Sequence, residues 1–210
     1  MNAIPSCTDV MIDLECLAVS PTPVIMSVGA CQFFAEAHEK DLHTKPYHWY
    51  RICPWQEQID RGRQIQEATV RWWMKQSDTA RDIMSEDILR SAAAACSPYD
   101  LLYGLQQWCL HVNANVDAPV RYWSHGKDFD LVILRQWFAE YRIECPWDYR
   151  QTYDTRTLFA LCPPSVSAIE IPVDQQQWRH HAWFDAIWQA QRVSKAWSYL
   201  VQEQRKESTA

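Results

Sequence analysis

Apolar residues form several short continuous runs along the chain. Residues 9–15 and 24–34 are rich in Val, Ile, Leu, Met and Phe, and the Pro-containing segment SPTP separates them, which predicts two buried strands. Residues 49–52 and 119–123 are shorter apolar runs and predict two further strands, the second followed by the turn SHGKD. The pattern therefore predicts three strands early in the chain and a fourth well after them.

The segments between and after these runs have patterns typical of helices. Residues 67–84 predict one helix, and a second helix is expected to begin at Ser97 or Pro98. Residues 130–141 place apolar side chains at steps of three, four and three, which is the spacing of an amphipathic helix. Helices are thus expected on both sides of the fourth strand in the sequence.

The C-terminal third predicts a short helix, a loop and a long helix. The short helix is stopped by Pro163 and Pro164, and the least patterned stretch, residues 165–177, is expected to be a loop. The last helix is expected to bury one side, formed by Ala186, Ile187, Ala190, Val193, Trp197 and Leu200. This order predicts an α/β fold with a mixed sheet flanked by helices, in one domain of residues 1–210 whose core spans 9–202, before a polar tail expected to fray.

Charge and hydropathy exclude two classes of protein. The 210 residues carry 20 Lys and Arg against 26 Asp and Glu, a formal charge of −6, so the chain lacks the basic surface that wraps long nucleic acid. Any nucleic acid is therefore expected to be bound locally, through only a few nucleotides. No run approaches the ~18 apolar residues that a membrane span needs, so no membrane association is expected.

The cysteines indicate a reducing compartment. None of the eight Cys forms a CxxC pair, and no His and Cys cluster has zinc-finger spacing, which argues against a structural metal site. The N-terminal residues show no signal peptide. We therefore expect reduced thiols in a cytoplasmic protein.

Two acids interrupt the first apolar strand. Side chains alternate along a strand, so Asp13 and Glu15 share one face, where two neighbouring carboxylates repel each other and lose solvation. A hard divalent cation such as Mg²⁺ would stabilise them, because it prefers carboxylate oxygen. A strand that simply emerges into solvent at Asp13 explains the same two residues, and the pair alone does not decide between these interpretations.

Two further acids occur in notable contexts. Asp130, in RYWSHGKDFDLVIL, lies at the connection between a predicted strand and the helix that follows it, a common position for ligands on an open sheet. Asp128 is its competitor and is assigned the role of helix N-cap. Asp185, in RHHAWFDAIWQA, lies among apolar residues near the start of the last helix, so it is either on the solvent face or functional.

The segments IDLE, WSHGKDFDLVIL and HHAWFDAIWQA resemble the three exonuclease motifs of the DEDDh group in the DnaQ-like (RNase T) superfamily. The segments TVRWWMKQS and CPWDYRQTYDTRTLF look like those of a phage and bacterial 3′–5′ exonuclease subgroup. The resemblance covers roughly residues 9–192 and implies an RNase H-like (DnaQ-like exonuclease) fold. It identifies the chain as a member of a family that hydrolyses terminal phosphodiester bonds.

The resemblance also implies roles for individual residues. The metal ligands would be Asp13, Glu15, Asp130 and Asp185, holding two Mg²⁺ or Mn²⁺ ions. His180 would be the general base, since the family places His five residues before the last Asp. On a helix, residues five apart point about 140° away from each other, so His180 has to precede the helix proper. His181, four residues before Asp185, is the rival and would suit a structural bond to that acid.

Further residues are expected to contact the substrate, the 3′ end of single-stranded DNA or RNA. Cys16 stands where members of the family usually have Thr, and its main chain would contact the terminal 3′-hydroxyl. Leu17 would pack on the last base. His125 replaces the usual Asn of the family turn. Trp72 and Trp73 face different ways on a helix, one in the core and one free to stack on a base, and Trp73 is taken as the substrate contact. Candidate phosphate contacts are Arg71, Lys75, Lys127 and Arg156.

The resemblance thus predicts a metal-dependent 3′–5′ exonuclease. Its phage-like subgroup favours single-stranded DNA slightly over RNA and implies a bacterial or phage-infected cytoplasm. The alternatives are a 3′–5′ exoribonuclease that trims RNA, and a DnaQ-like module that binds nucleic acid or protein without turnover. Some relatives are homodimers, although no feature of this sequence indicates one.

Overall fold

Five strands form one mixed sheet in a computed structural model that describes residues 9–36, 47–85, 95–116, 119–168 and 171–208. In sheet order these are β3 (His48–Ile52), β2 (Ile25–Phe33), β1 (Asp9–Cys16), β4 (Arg121–Ser124) and β5 (Thr152–Asp154). Strand β2 pairs antiparallel with β1 and β3, whereas β4 lies parallel to β1 and β5. The predicted mixed sheet is confirmed.

Helices flank this sheet within the described ranges. They are α1 (Gln56–Asp60), α2 (Glu67–Trp73), α3 (Asp78–Arg81), α4 (Pro98–Ala114), α5 (Asp130–Glu140), α6 (Thr155–Ala160), α7 (Pro164–Ser167) and α8 (Ala182–Glu207). Turns of 3₁₀-helix lie at Asp82–Met84, Tyr149–Gln151 and Val173–Trp178. No described helix is both long and apolar enough to cross a bilayer.

The alternation of side chains along β1 divides the core into two layers. Val10, Ile12 and Leu14 pack with apolar residues of α4 and α5 on one face of the sheet. Met11 packs on the other face with α8, through residues that include Ala186 and Ala190. Because Asp13 and Glu15 follow Met11 at steps of two, they point toward the face that α8 covers.

Several elements differ from the sequence prediction. The helix predicted over 67–84 ends at Trp73, because Ser77 caps a new helix by accepting a hydrogen bond from the Ala80 amide at 3.2 Å. The loop predicted over 165–177 contains part of α7 and a 3₁₀ turn, while residues 169 and 170 lie outside the described ranges. Strand β5 has only three residues and no apolar pattern, so it was missed.

The last helix is also longer than its apolar pattern indicated, while the fraying of the polar tail stays a prediction. Residues beyond Gln202 continue α8 as far as Glu207. Lys206 pairs with Glu203 at 2.6 Å, and two basic side chains lie in the last turn, where they complement the helix dipole. The seven cysteines in the described part of the chain are unpaired, and Cys7 lies outside it.

Candidate active site

Strand β1 carries two acids toward the start of α8. Asp13 is paired across the sheet with Gly29, and Glu15 with Ser27. Glu15 is buried and Asp13 half-buried, so neither acid marks a strand that runs out into solvent. A bulge follows between Glu15 and Cys16, which ends the regular pairing at this point.

The start of α8 approaches β2 at a glycine. A Cβ atom on Gly29 would lie 2.2 Å from the carbonyl carbon of Ala182, far closer than atoms can approach. Only glycine therefore allows the backbone of α8 to lie directly on the sheet beside Asp13. This contact brings Asp185, in the first turn of α8, to the two acids of β1.

His180 lies just before α8, in a left-handed conformation with φ of 63°. Its amide donates to Oδ2 of Asp185 at 3.0 Å, which turns the segment back toward the helix start. Ligand atoms of Glu15, His180 and Asp185 all lie within 4.8 Å of one another. The structure thus brings His180 and Asp185 into one site because His180 precedes the helix, as their spacing required.

His181 occupies a different environment. Its ring stacks on Tyr50 at 4.4 Å and contacts Trp178 and Phe184. Burial lowers the pKa of His181 to about 4. The sequence suggested a bond from the His181 side chain to Asp185. The hydrogen bond that the structure shows at Asp185 comes instead from the amide of His180, which donates to Oδ2. His181 instead anchors the segment before α8 to β3.

Asp130 is the first residue of α5 and follows the end of β4. It is buried, and charge repulsion from it raises the pKa of both Asp13 and Glu15, so its carboxylate lies near both. Asp128 is exposed and pairs with Lys127 at 2.7 Å. The N-cap residue of α5 is Phe129, without a side-chain cap, so the cap predicted at Asp128 is wrong.

Burial is the main cause that raises the pKa of all four carboxyl groups. The pKa of Asp130 and that of Asp185 rise to about 7, and those of Asp13 and Glu15 also lie well above their usual range, with repulsion between the acids as a further cause. Four ionised carboxylates need a compensating positive charge in such a place. Carboxylate oxygens are the ligands preferred by Mg²⁺ and Mn²⁺, so this donor set fits hard divalent cations.

Gln189 is a site residue that sequence reasoning missed. It lies one turn of α8 beyond Asp185, and its side-chain amide donates to Oδ1 of Asp13 at 2.7 Å. Helical spacing from Asp185 was the available signal, but a Gln in an amphipathic helix has no distinctive pattern of its own. The bond orients Asp13 and leaves its second carboxylate oxygen for other partners.

A cavity of about 470 Å³ opens beside Glu15. Its walls are mostly apolar and include Leu14, Ala18, Val19, Ala68, Trp72 and Phe129. We call it the apolar cavity. Cys16 lines it, whereas Leu17 is 1% exposed and packs in the core with Val24 and Trp73. This burial leaves Leu17 no surface for the base contact that was predicted.

The two adjacent tryptophans of α2 have opposite environments. Trp73 is 1% exposed and donates its indole N–H to the carbonyl of Cys16 at 3.0 Å, so it supports the cavity floor. Trp72 is 43% exposed, lines the cavity and meets the ring of His180 edge-on at 4.8 Å. The more exposed indole is therefore Trp72, whereas Trp73 lines the cavity from a buried position, and its contact with a substrate stays a prediction.

A second cavity, of about 390 Å³, adjoins the acids at Asp185. His125 lines it, with Nδ1 placed 2.8 Å from the hydroxyl of Thr155. Arg179 and Arg192 also line it, together with His180 and Asp185. We call it the basic cavity. The candidate site adjoins it through His180 and Asp185, and adjoins the apolar cavity through Glu15.

Comparison with known proteins agrees with this geometry. The model of the family described as "3′–5′ exoribonuclease Rv2179c-like domain" matches residues 8–197. The crystal structure of the nuclease domain of 3′hExo, a DEDDh family member, bound to rAMP, is similar with a TM-score of 0.52 and 11% sequence identity, over 93% of this chain and 92% of that chain. No curated protein matches the chain. The structural likeness confirms the expected RNase H-like fold.

Proposed function

The chain belongs to the Rv2179c-like 3′–5′ exoribonuclease domain family, and on that premise we propose that it shortens single-stranded RNA from the 3′ end. It is a 3′–5′ exonuclease of the DEDDh type. The observation that carries the proposal is the convergence of four acids and one histidine from β1, α5 and the start of α8. A nucleic-acid-binding module without turnover would have no use for four crowded, desolvated carboxylates.

Asp13, Glu15, Asp130 and Asp185 are proposed to hold two divalent cations, Mg²⁺ or Mn²⁺. Ions bound there would activate a water molecule and stabilise the charge that develops on the leaving 3′ oxygen. Gln189 orients Asp13 for this task through its 2.7 Å bond, and the His180 amide does the same for Asp185. Asp13 and Asp185 are thus held in a fixed orientation by hydrogen bonds from residues in α8 and just before it.

His180 is proposed to accept the proton of the attacking water. Burial and the nearby charge of Arg179 lower its pKa below the usual value, so its ring is neutral and able to accept a proton at pH 7. The edge of the ring rests against Trp72, and its main chain is bonded to Asp185. These contacts hold the base close to the acids without an additional charged partner.

The apolar cavity is proposed to receive the 3′-terminal nucleoside. Its walls suit a base, and Trp72 presents an indole on which the base can stack, worth about 1–3 kcal/mol. The main chain of Cys16 is the proposed contact for the terminal 3′-hydroxyl. This places the terminal phosphodiester beside the acids, where hydrolysis releases one nucleotide at a time.

The preference for RNA rests on the family description, and the slight preference for DNA drawn from the sequence has no comparable support. We retain single-stranded DNA as the second candidate substrate because the two polymers differ only in the 2′-hydroxyl and one base methyl group.

The test is nucleotide release from 5′-labelled RNA and DNA oligomers of one sequence, with Mg²⁺ or Mn²⁺, beside Asp13→Ala. We expect a ladder of shortened RNA from the wild type, a slower ladder from DNA and none from the variant. Faster degradation of DNA would overturn the substrate assignment. Equal release by Asp13→Ala would mean that a contaminating nuclease is responsible.

A further inference from the structure

The basic cavity has a charge opposite to that of the acids beside it. Arg179 and Arg192 line it, and Asp185 is the acid among its lining residues. It shares His180 and Asp185 with the candidate active site and shares no lining residue with the apolar cavity. The basic cavity is therefore a place beside the acids whose charge suits the phosphates of a strand whose last nucleoside fills the apolar cavity.

Arg156 adds a third guanidinium close to His125, one of the residues that line the cavity. Gly126 has a φ of 103°, and a Cβ atom there would lie 3.4 Å from the guanidinium carbon of Arg156, so this side chain extends across the turn that follows β4. Asp154 caps α6 by accepting from the amide of Arg156 at 3.3 Å, which fixes the backbone from which the side chain extends. The charges of Arg156 and Arg192 both lower the pKa of His125, so both lie near its ring.

The other groups of the cavity are held in place before any ligand binds. Arg192 donates from Nε to the carbonyl of Ser167 at 2.7 Å, and its guanidinium lies 4.2 Å from the ring centre of Phe159. His125 is fixed through Nδ1 by Thr155. Such bonds orient the remaining nitrogen atoms and reduce the entropy lost when an anion binds.

We propose that the basic cavity binds the phosphodiester immediately upstream of the scissile bond, through Arg156, Arg192 and His125. This inference rests on the proposed function, because it assumes that the strand is cut at the acids. Crowded carboxylates repel a polyanion, and guanidinium groups next to them offset that repulsion where the strand leaves. The enzyme would then favour substrates with at least two phosphodiester bonds.

The test pairs a change in the protein with a change in the substrate. Two RNA hexamers are compared, one natural and one with a neutral methylphosphonate at the linkage upstream of the terminal bond. Wild type, Arg156→Gln and Arg156→Lys are assayed for kcat/KM on both. Arg150→Gln is the matched control, because Arg150 is exposed, faces Asp148 at 3.5 Å and is not among the residues that line the basic cavity.

We expect Arg156→Gln and the methylphosphonate each to lower kcat/KM on the order of tenfold, mainly through KM, and the two together to lower it no further. Arg156→Lys should recover part of the loss on the natural hexamer, and Arg150→Gln should behave as wild type on both. The proposal would be overturned if the two losses multiplied, so that the ratio of kcat/KM between the two hexamers was the same for Arg156→Gln as for the wild type. Failure of the wild type to shorten the natural hexamer would instead refute the proposed function itself.

Discussion

His180 combines a strained backbone with a proposed chemical role. Its φ of 63° lies in a region that residues other than glycine seldom adopt, although histidine enters it more readily than most. The bond from its amide to Asp185 and the contact with Trp72 stabilise this conformation. Strain of this kind is retained where the surrounding structure holds a functional side chain in place.

Replacing His180 by Ala should remove the proton acceptor without removing a carboxylate. We expect kcat to fall by about 10²–10⁴-fold while the divalent-cation requirement persists, because general bases contribute within that range. Steady-state kinetics on a labelled RNA oligomer measures the effect. His111→Ala, on the exposed side of α4, serves as the matched control. A loss smaller than threefold would show that His180 is not the base.

Asp9 illustrates a buried acid with a structural role. Its carboxylate accepts hydrogen bonds from Arg121 at 2.7 and 2.9 Å, from the Trp123 indole at 2.7 Å and from the Ala35 amide at 2.9 Å. It lies in the same apolar strand as Asp13, and the sequence alone does not distinguish the two roles. The difference lies in the partners that folding brings to each acid.

Asp9→Ala should destabilise the fold by about 3–5 kcal/mol, because it removes the acceptor of two hydrogen bonds from the largely buried Arg121 and of one from the Trp123 indole, and leaves Arg121 with the more distant carboxylate of Glu36 at 3.8 Å. Urea denaturation followed by tryptophan fluorescence measures the free energy of unfolding. Glu67→Ala removes the exposed pair with Arg71 and should cost no more than about 0.5 kcal/mol. Similar losses for both variants would contradict the structural role assigned to Asp9.

At the scale of elements, the site depends on how closely α8 lies on the sheet. Gly29 permits that approach, and it places Asp185 and Gln189 next to Asp13. Gly104, within α4, offers a contrast, since a Cβ atom there would meet Trp49 at 3.6 Å, an ordinary contact distance. The two glycines therefore differ in their structural importance.

Gly29→Ala should displace the start of α8 and lower both stability and activity. We expect a loss of about 1–3 kcal/mol from overpacking, with kcat/KM reduced more strongly than the fraction folded explains. Gly104→Ala is the control, and it should keep its activity and gain up to about 1 kcal/mol from helix propensity. Denaturation and oligomer hydrolysis are measured on both variants. Full activity in Gly29→Ala would show that the approach of α8 does not position the site.

The elements also show what could be predicted from the sequence. The long strands and α8 were predictable because their apolar patterns extend over many residues, and their motifs located Asp13, Asp130 and Asp185. The choice between Trp72 and Trp73 depends on which indole the packing of α2 buries, and adjacent residues give no local signal for that. The contact of Gln189 with Asp13 likewise depends on how closely α8 approaches the sheet, and no local sequence pattern encodes that tertiary property.

For the whole molecule, the raised pKa values of the four acids predict a stability that depends on pH, and the proposed cation site predicts a dependence on metal. An acid whose pKa is raised in the folded state binds its proton more tightly when folded, so it stabilises the fold at low pH and loses this contribution as the pH rises through the folded pKa. For Asp130 and Asp185 that range extends from about 4 to about 7.

Thermal unfolding in EDTA should therefore give a Tm that falls between pH 5.5 and pH 7.5. Added Mn²⁺ should raise Tm more at pH 7.5 than at pH 5.5, because ionised carboxylates bind the cation without first releasing protons. In EDTA, Asp130→Asn should show a smaller fall with pH than the wild type. An equal effect of Mn²⁺ at both pH values would contradict the assignment of these acids as a cation site.

The most direct test of the active site compares Asp130→Asn with Asp128→Asn, two substitutions of the same kind in one turn. Their rates of shortening of a 5′-labelled RNA oligomer are measured against the wild type at saturating Mg²⁺. Asp130→Asn should be slower by about 10³-fold, which corresponds to several kcal/mol of lost transition-state stabilisation, while the exposed Asp128→Asn should match the wild type. Equal rates for the two variants would contradict the assignment of Asp130 to the catalytic centre.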